Sequence, residues 1–242
     1  MRSVLLATLL ALAVTASAAP PPAPAKLLVV SVTKGFRHKS IYIVERTLEE
    51  LALKSKAFTL DYARTDEELA QKMAPKALEK YAGVVFASTT GDLPLPDKDG
   101  FLAWLGRGHG FVGIHAATDT FHGWRPYIEM IGGEFERHGP QTTVSVLVED
   151  KDHPATKGLA SPNDVYDEIY EFKSFSRERV HVLMYLDKHP QTKAPGFYPM
   201  AWTRAHEKGR VFYTALGHRE DVLQAPWYRE HLLGGVLWAL GR

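Results

Sequence analysis

The feature that most constrains the fold of this chain is a repeated alternation of short apolar runs with longer segments of helical periodicity. Residues 26–32 form an apolar, β-branched run that predicts a strand, and residues 40–53 carry apolar side chains at helical spacing with charged residues between them. This alternation is typical of an α/β fold with a mostly parallel central sheet and helices on both faces. Further strands are predicted at 58–62, 82–88, 110–114, 142–148, 180–186, 200–203 and 210–215, and further helices at 66–73 (with Asp66 as the N-cap), 97–105 and 226–240.

The N-terminus has the layout of a signal peptide. Arg2 gives it a positive tip, residues 4–14 are apolar except for Thr8 and carry no charge, and the run ends in the small residues 16–18. A spanning helix needs about 20 apolar residues, so we expect no stable membrane insertion after cleavage. We predict a signal peptide over 1–18, a Pro/Ala-rich spacer over 19–25 and one domain over 26–242 that is periplasmic or secreted; an uncleaved anchor is the alternative.

The composition excludes several classes of function. The chain has no cysteine, which rules out a thiol nucleophile, a disulfide and a thiolate metal site. Its 29 basic and 28 acidic residues nearly balance. Without a run of Lys or Arg it lacks the electrostatic footprint of a nucleic-acid-binding protein. The glycine-rich run 106–110 precedes a predicted strand, whereas a phosphate-binding loop follows one, so we expect no nucleotide cofactor.

Polar side chains follow four of the predicted strands. Ligands of an open parallel sheet bind at the carboxyl ends of its strands, so we expect these side chains to meet there. They are His38 after the first strand, Thr90 and Asp92 after the third, His115 and Asp119 after the fourth, and His218 after the strand at 210–215.

Eight segments of the chain resemble, in order and spacing, the ThuA-like family, which is named for bacterial trehalose utilisation. They are 35–38, 88–92, 110–119, 131–135 with His138, 152–156, 167–170, 199–202 and 216–218, and the resemblance covers essentially all of 26–242. It implies the class I glutamine amidotransferase-like fold, a flavodoxin-like variant. It also implies a link to sugar metabolism, particularly of 3-keto-glycosides, and hence a small-molecule carbohydrate as the ligand.

Amidotransferases of this fold place a cysteine on a strained strand-to-helix elbow and pair it with a His-x-Glu dyad near the C-terminus. In this chain Gly113-x-His115 resembles the elbow with histidine in place of cysteine, and His218-Arg219-Glu220 resembles the dyad. Glutamine hydrolysis through a thioester is therefore excluded. No Gly-x-Ser-x-Gly elbow offers a serine instead.

Two interpretations of the ionisable residues stay open. In the first, catalysis is by acid and base groups, with Asp119 orienting His115 from the same helical face, and with Glu168 and Tyr170 on one face of a strand-like run. In the second, a divalent metal such as zinc is bound by residues from distant loops, because no local zinc signature is present. The predicted catalytic residues are His115, Asp119, Glu168 and His218; the predicted substrate-binding residues are His38, Thr90, Asp92, His138, Tyr170 and Trp202; the predicted metal ligands are His38, His115, His138 and His218, with Asp119 or Glu168 as oxygen donors.

Two functions of different classes follow from these residues. One is an enzyme that moves protons next to the carbonyl of a keto-sugar or glycoside, by isomerisation or by elimination-type cleavage. The other is a non-catalytic carbohydrate-binding module on a degenerate amidotransferase-like fold. A two-carboxylate glycosidase is disfavoured because no paired acids stand at facing strand ends. The sequence leaves open whether the chain forms a homo-oligomer.

Overall fold

The computed structural model describes residues 23–242, so the predicted signal peptide and most of the spacer lie outside the described residues. The strands are β1 (Ala25–Val30), β2 (Phe58–Ala63), β3 (Gly83–Ala87), β4 (Gly110–Ile114), β5 (Glu134–His138), β6 (Thr142–Val148), β7 (Asn163–Asp167), β8 (Tyr170–Lys173), β9 (His181–Lys188), β10 (Pro195–His206) and β11 (Gly209–Thr214). The helices are α1 (Ile41–Ser55), α2 (Asp66–Lys72), α3 (Pro75–Leu78), α4 (Lys98–Gly106), α5 (Arg125–Ile131), α6 (Glu220–Gln224) and α7 (Pro226–Ala239), and two 3-10 helices span His115–Asp119 and Arg177–Arg179.

Nine strands form one sheet in the order β2-β1-β3-β4-β11-β10-β9-β6-β7. The first five are parallel to one another, and the other four continue the sheet in antiparallel pairs. The order 2-1-3-4 followed by one further parallel strand is the flavodoxin-like arrangement, which confirms the predicted fold class. Strands β5 and β8 form a separate two-stranded sheet.

The parallel half of the sheet forms because its strands are apolar on both faces. Every residue of β3 and β4 is buried, as expected for strands covered on both sides. Helices α1, α4 and α7 pack against this half of the sheet. Among residues 23–242, none of the helices has both the length and the apolar character needed to span a bilayer.

Several details differ from the sequence-based predictions, including the length of β10, which was predicted at 200–203 and spans Pro195–His206. Thr65, not Asp66, caps α2, because the Thr65 side chain accepts a hydrogen bond from the backbone N–H of Glu68 while Asp66 lies in the first turn. The sequence did not predict six short elements, because segments of four to seven residues carry too little periodicity. They are strands β5, β7 and β8 and helices α3, α5 and α6. The run through 168–170 is not one strand: β7 ends at Asp167 and β8, in the other sheet, begins at Tyr170.

Candidate functional site

Three histidines and one glutamate meet beyond the carboxyl ends of the parallel strands. His38 follows β1, His115 follows β4 and His218 follows β11, while Glu168 lies in the turn between β7 and β8. One nitrogen or oxygen atom of each lies within 4.8 Å of the corresponding atoms of the other three. Segments that are distant in the sequence therefore build one cluster, which we call the histidine–glutamate cluster.

His115 occupies the strained turn that the sequence predicts at the end of β4. Its φ is +47°, a left-handed conformation that costs a non-glycine residue about 1–3 kcal/mol. Two neighbours from the end of β11 hold it there. The Nδ1 of His115 lies 2.7 Å from the carbonyl oxygen of Ala215, and the Tyr213 hydroxyl donates to the His115 carbonyl at 2.7 Å. Because a carbonyl only accepts, the Nδ1 carries a proton, and the neutral form of this ring has its lone pair on Nε2.

His38 lies on a loop that the end of β3 holds in place. The Thr90 hydroxyl donates to the carbonyl of Phe36 at 2.8 Å and accepts from the N–H of Gly35 at 3.3 Å. Gly91 has a φ of +76° and approaches so closely that a Cβ there would lie 2.8 Å from the Gly35 nitrogen. Burial and the neighbouring imidazoles of the cluster lower the pKa of His38 to about 3, so its ring is neutral at physiological pH.

Asp167 fixes the two remaining members of the cluster relative to each other. Its carboxylate accepts the backbone N–H groups of Glu168 at 2.9 Å, Gly217 at 2.8 Å and Arg219 at 3.0 Å. Burial raises the pKa of Asp167 despite these hydrogen bonds. Sequence reasoning assigned Asp167 no role, and its place next to Glu168 in a matched segment is the only signal that points to it.

Glu168 is the carboxylate that the histidines surround. Its Oε1 lies 3.1 Å from the Nδ1 of His218 and 3.6 Å from the Nε2 of His115. Burial alone would raise the pKa of Glu168, but the adjacent imidazoles of His115 and His218 outweigh it and lower that pKa well below its usual range. Contact with the Glu168 carboxylate in turn raises the pKa of His218. The carboxylate is therefore ionised at neutral pH.

The donor atoms of the cluster fit a bound metal ion. Each of the three histidines in the cluster has a buried ring nitrogen that lacks a hydrogen-bond partner among residues 23–242. These atoms are Nδ1 of His38, Nε2 of His115 and Nδ1 of His218. The His218 nitrogen is close to Glu168 but is not aligned for a hydrogen bond. Ligands of a tetrahedral zinc ion, with bonds of about 2.1 Å, lie about 3.4 Å apart, close to the 3.1 and 3.6 Å separations here. Unpaired buried nitrogens are costly, and a cation would satisfy all three.

Comparison with known proteins places the chain in a family. The sequence profile described as ThuA: Trehalose utilisation matches residues 26–239. The chain belongs to the ThuA family. A solved structure from Bacteroides uniformis described as a ThuA-like protein has 22% identity and a TM-score of 0.74, and the match covers 92% of this chain and 94% of that one. A ThuA-like protein from Parabacteroides merdae has 20% identity and a TM-score of 0.73, with 90% of each chain covered.

More distant neighbours of this ThuA-family chain share the fold alone. A β-galactosidase from Bacillus circulans sp. alkalophilus has 14% identity and a TM-score of 0.51, and the match covers 89% of this chain but 30% of that one. No curated protein matches the chain in sequence.

Two further predicted residues border the histidine–glutamate cluster of this ThuA-family protein. The ring of Tyr170 is buried and lies 4.3 Å, centroid to centroid, from the ring of His115. His138 is exposed, and its Nδ1 lies 3.3 Å from the Oε2 of Glu168 and 2.9 Å from the carbonyl of Gly139. His138 was predicted as a metal ligand, but it is not part of the four-residue cluster, where Glu168 takes the remaining place.

The other predicted site residues lie elsewhere. Asp119 pairs with His122 at 2.7 Å, and within residues 23–242 the carboxylate near a His115 nitrogen is that of Glu168. The expectation for Asp119 was wrong because the elbow opens a 3-10 helix rather than an α-helix. The predicted dyad is also corrected: Glu168, not Glu220, is the carboxylate at His218 in the described part of the chain.

Three predicted substrate contacts are likewise structural or peripheral. Thr90 is fully buried and holds the loop of His38, as described above. Asp92 is exposed and pairs with Lys98. Trp202 is fully buried, where its Nε1 donates to the carbonyl of Ile131 at 2.8 Å and its ring packs on Tyr213, so it offers no face to a sugar.

A cleft of about 650 Å³ opens beside the cluster. His38 and His218 belong to both the cluster and the cleft wall. The rest of the wall is supplied by the loop before α1, by α6 and its N-terminal flank, and by Gln141. A volume of this size is typical of sites for small molecules.

Proposed function

We propose that this ThuA-family protein is an exported, metal-dependent enzyme of carbohydrate metabolism that converts a keto-sugar or glycoside by moving a proton next to a sugar carbonyl. The observation that carries the proposal is the histidine–glutamate cluster at the wall of an open cleft. Three nitrogens and one carboxylate oxygen form a donor set that suits zinc or a similar divalent ion. The absence of cysteine excludes amidotransferase chemistry through a thioester.

His38 and Glu168 favour the protonation states that a metal site requires, whereas His218, whose pKa is raised by Glu168, must be deprotonated to bind a cation. Ligands must be neutral histidines and ionised carboxylates, and the lowered pKa values of His38 and Glu168 favour these forms. A bound divalent ion would polarise a sugar carbonyl and make the neighbouring C–H bond more acidic. His115 then serves as a ligand, and the elbow supplies rigidity rather than a nucleophile. We propose that His138, which is exposed beside Glu168 and outside the four-residue cluster, contacts the bound sugar and accepts the proton.

The carbohydrate and the compartment are supported by different observations. The family description, trehalose utilisation, favours a sugar or glycoside ligand. The composition of residues 1–18 favours export to the periplasm or beyond. Neither observation names the glycoside, so the test should use several.

The test combines metal analysis with turnover. The protein is purified without a histidine tag, its metal content is measured, and it is incubated with 3-keto-glucosides and ordinary glycosides that are followed by chromatography. We expect about one divalent ion per chain and turnover that a chelator removes and zinc or another divalent ion restores. His115→Ala should lose both metal and turnover.

His181→Ala is the matched control, because this exposed histidine pairs with Asp150 and is not part of the cluster. It should keep metal and turnover. Sugar binding without turnover, unchanged by metal, would contradict the proposal and identify a carbohydrate-binding module instead.

A further inference from the structure

Phe36 is a large apolar side chain that is exposed to solvent at the cleft. It is 66% exposed, lies on the loop between β1 and α1, and forms part of the cleft wall. Its ring meets that of His38 edge to face, with centroids 4.8 Å apart. An exposed aromatic ring is thus placed two residues from a member of the histidine–glutamate cluster.

Four hydrogen bonds fix the backbone of the loop that carries Phe36. The Thr90 hydroxyl bonds to the Phe36 carbonyl and to the N–H of Gly35, and the Arg37 guanidinium donates to the carbonyl of Ser31 at 2.8 Å. The N–H of Lys34 donates to the carbonyl of Thr90 at 2.8 Å. The loop is therefore ordered before any ligand arrives, which lowers the entropic cost of binding against the ring.

The rest of the cleft wall is polar and balanced in charge. Arg219 donates to both carboxylate oxygens of Asp221 at 2.9 Å and to the amide oxygen of Gln141 at 3.1 Å. Lys39 and Arg219 supply two positive charges, and Glu220 and Asp221 supply two negative ones. Apart from a cation bound at the cluster, the wall therefore has no excess positive charge to pair with a phosphate group, which favours a neutral ligand.

An aromatic face combined with hydrogen-bonding groups matches the two kinds of surface on a sugar ring. The ring's C–H groups form an apolar face that packs on an aromatic side chain, and its hydroxyls bond to planar polar groups such as amide, carboxylate and guanidinium. We infer that Phe36 is the stacking platform of the cleft and selects an unphosphorylated pyranose ring beside the histidine–glutamate cluster. This inference rests on the proposed function, since it names the substrate class of the same site. Trp202, which was predicted as a substrate-binding residue, is buried in the core.

The test measures sugar binding with trehalose as the probe, and with sorbitol and glucose 6-phosphate as comparisons. Saturation-transfer difference NMR with irradiation of aromatic protons should transfer magnetisation to the ring C–H protons of trehalose and much less to acyclic sorbitol. Phe36→Ala should weaken trehalose binding about 3- to 10-fold, the range expected for one aromatic contact. It should also remove most of the transfer while the metal content stays unchanged.

Two variants at the same position distinguish stacking on an aromatic ring from contact with any apolar side chain. Phe36→Tyr should keep wild-type affinity, and Phe36→Leu should behave like Phe36→Ala. Leu53→Ala is the control elsewhere, because Leu53 is 77% exposed on α1 and is not part of the cleft wall. It should change nothing.

The outcomes distinguish this inference from the proposed function. Wild-type affinity in Phe36→Leu, or tighter binding of glucose 6-phosphate than of trehalose, overturns the inference and leaves the metal-dependent enzyme standing. Sugar stacking on Phe36 in a protein that holds no metal and turns over no sugar supports the inference and overturns the proposed function. Failure of the wild-type protein to bind any of the sugars overturns the inference.

Discussion

At the scale of single residues, the elbow shows how a strained position can be reused. A left-handed φ at His115 is retained because two groups from the end of β11, the Ala215 carbonyl and the Tyr213 hydroxyl, bond to its ring and its backbone. The bond to Ala215 also fixes the tautomer, leaving the Nε2 lone pair directed away from the carbonyl. A metal ligand needs one such nitrogen, and an outer hydrogen bond of this kind is the usual way to orient it.

Asp167 gives a test at the same scale. Asp167→Asn replaces a carboxylate that accepts three backbone N–H groups with an amide, whose NH2 group must face at least one of them. We expect metal affinity to fall about 10- to 100-fold, as for other residues that orient ligands, with a loss of unfolding free energy. Metal titration and urea denaturation measure the two effects.

The control for Asp167 lies on the same strand. Asp164 of β7 bonds to the side chain of Ser145 on the exposed side of the strand. Asp164→Asn should leave metal affinity unchanged. Equal metal affinity in the wild-type protein and in Asp167→Asn would show that the cluster does not depend on this carboxylate.

At the scale of elements, the buried parallel strands were predictable and the turns around them were not. Strand β4 has the predicted bounds, because its apolar composition follows directly from burial on both faces. Glu168 was expected within a strand, since four- and five-residue strands such as β8 and β7 have no periodicity of their own. Trp202 was expected to bind substrate, but it packs on Ile131 and Tyr213. The sequence does not reveal which face of β10 makes these contacts. His38, His115, His218 and Glu168 were named, but their grouping depends on loop geometry.

The contact between the β3 and β1 loops can be tested with one glycine. Gly91→Ala adds a Cβ that would meet the backbone of Lys34 and Gly35 at 2.8 Å, on top of the strain of a positive φ. We expect a loss of stability above the roughly 1–2 kcal/mol for a left-handed residue. Metal affinity should fall as well, because the displaced loop carries His38.

Gly158→Ala separates strain from contact. Gly158 also has a positive φ, +81°, but has no atom within 4 Å of its would-be Cβ. This variant should show the conformational cost alone, with unchanged metal affinity. If both variants lose the same stability and neither changes metal binding, the loop contact does not position His38.

At the scale of the whole molecule, the site joins the two halves of the sheet. The parallel half supplies His38, His115 and His218, and the chain that continues from the antiparallel half supplies Asp167 and Glu168. The cluster is complete only when both halves are in place. The proposed metal binding is therefore linked to folding of the entire sheet rather than of one loop.

Stability of the whole molecule should fall at acidic pH through a histidine far from the cluster. His231 is fully buried on α7, its Nδ1 donates to the carbonyl of Ala155 at 2.8 Å, and burial lowers its pKa to about 4 from an unfolded value of 6.5. Between those two pH values the unfolded chain binds a proton that the folded chain does not. The free energy of unfolding therefore falls as the pH drops from about 7 to 4, by up to about 3 kcal/mol from this group.

Urea denaturation of metal-free protein between pH 7 and pH 4.5 measures this contribution. His231→Gln should be less stable than the wild-type protein at pH 7, because it leaves an amide in a tightly packed site, but its stability should fall less steeply with decreasing pH. The two curves should therefore converge as the pH is lowered. His181→Gln, at an exposed position, should keep the wild-type slope. Parallel curves for His231→Gln and the wild-type protein would mean that His231 is not one of the buried neutral histidines that make this fold sensitive to acid.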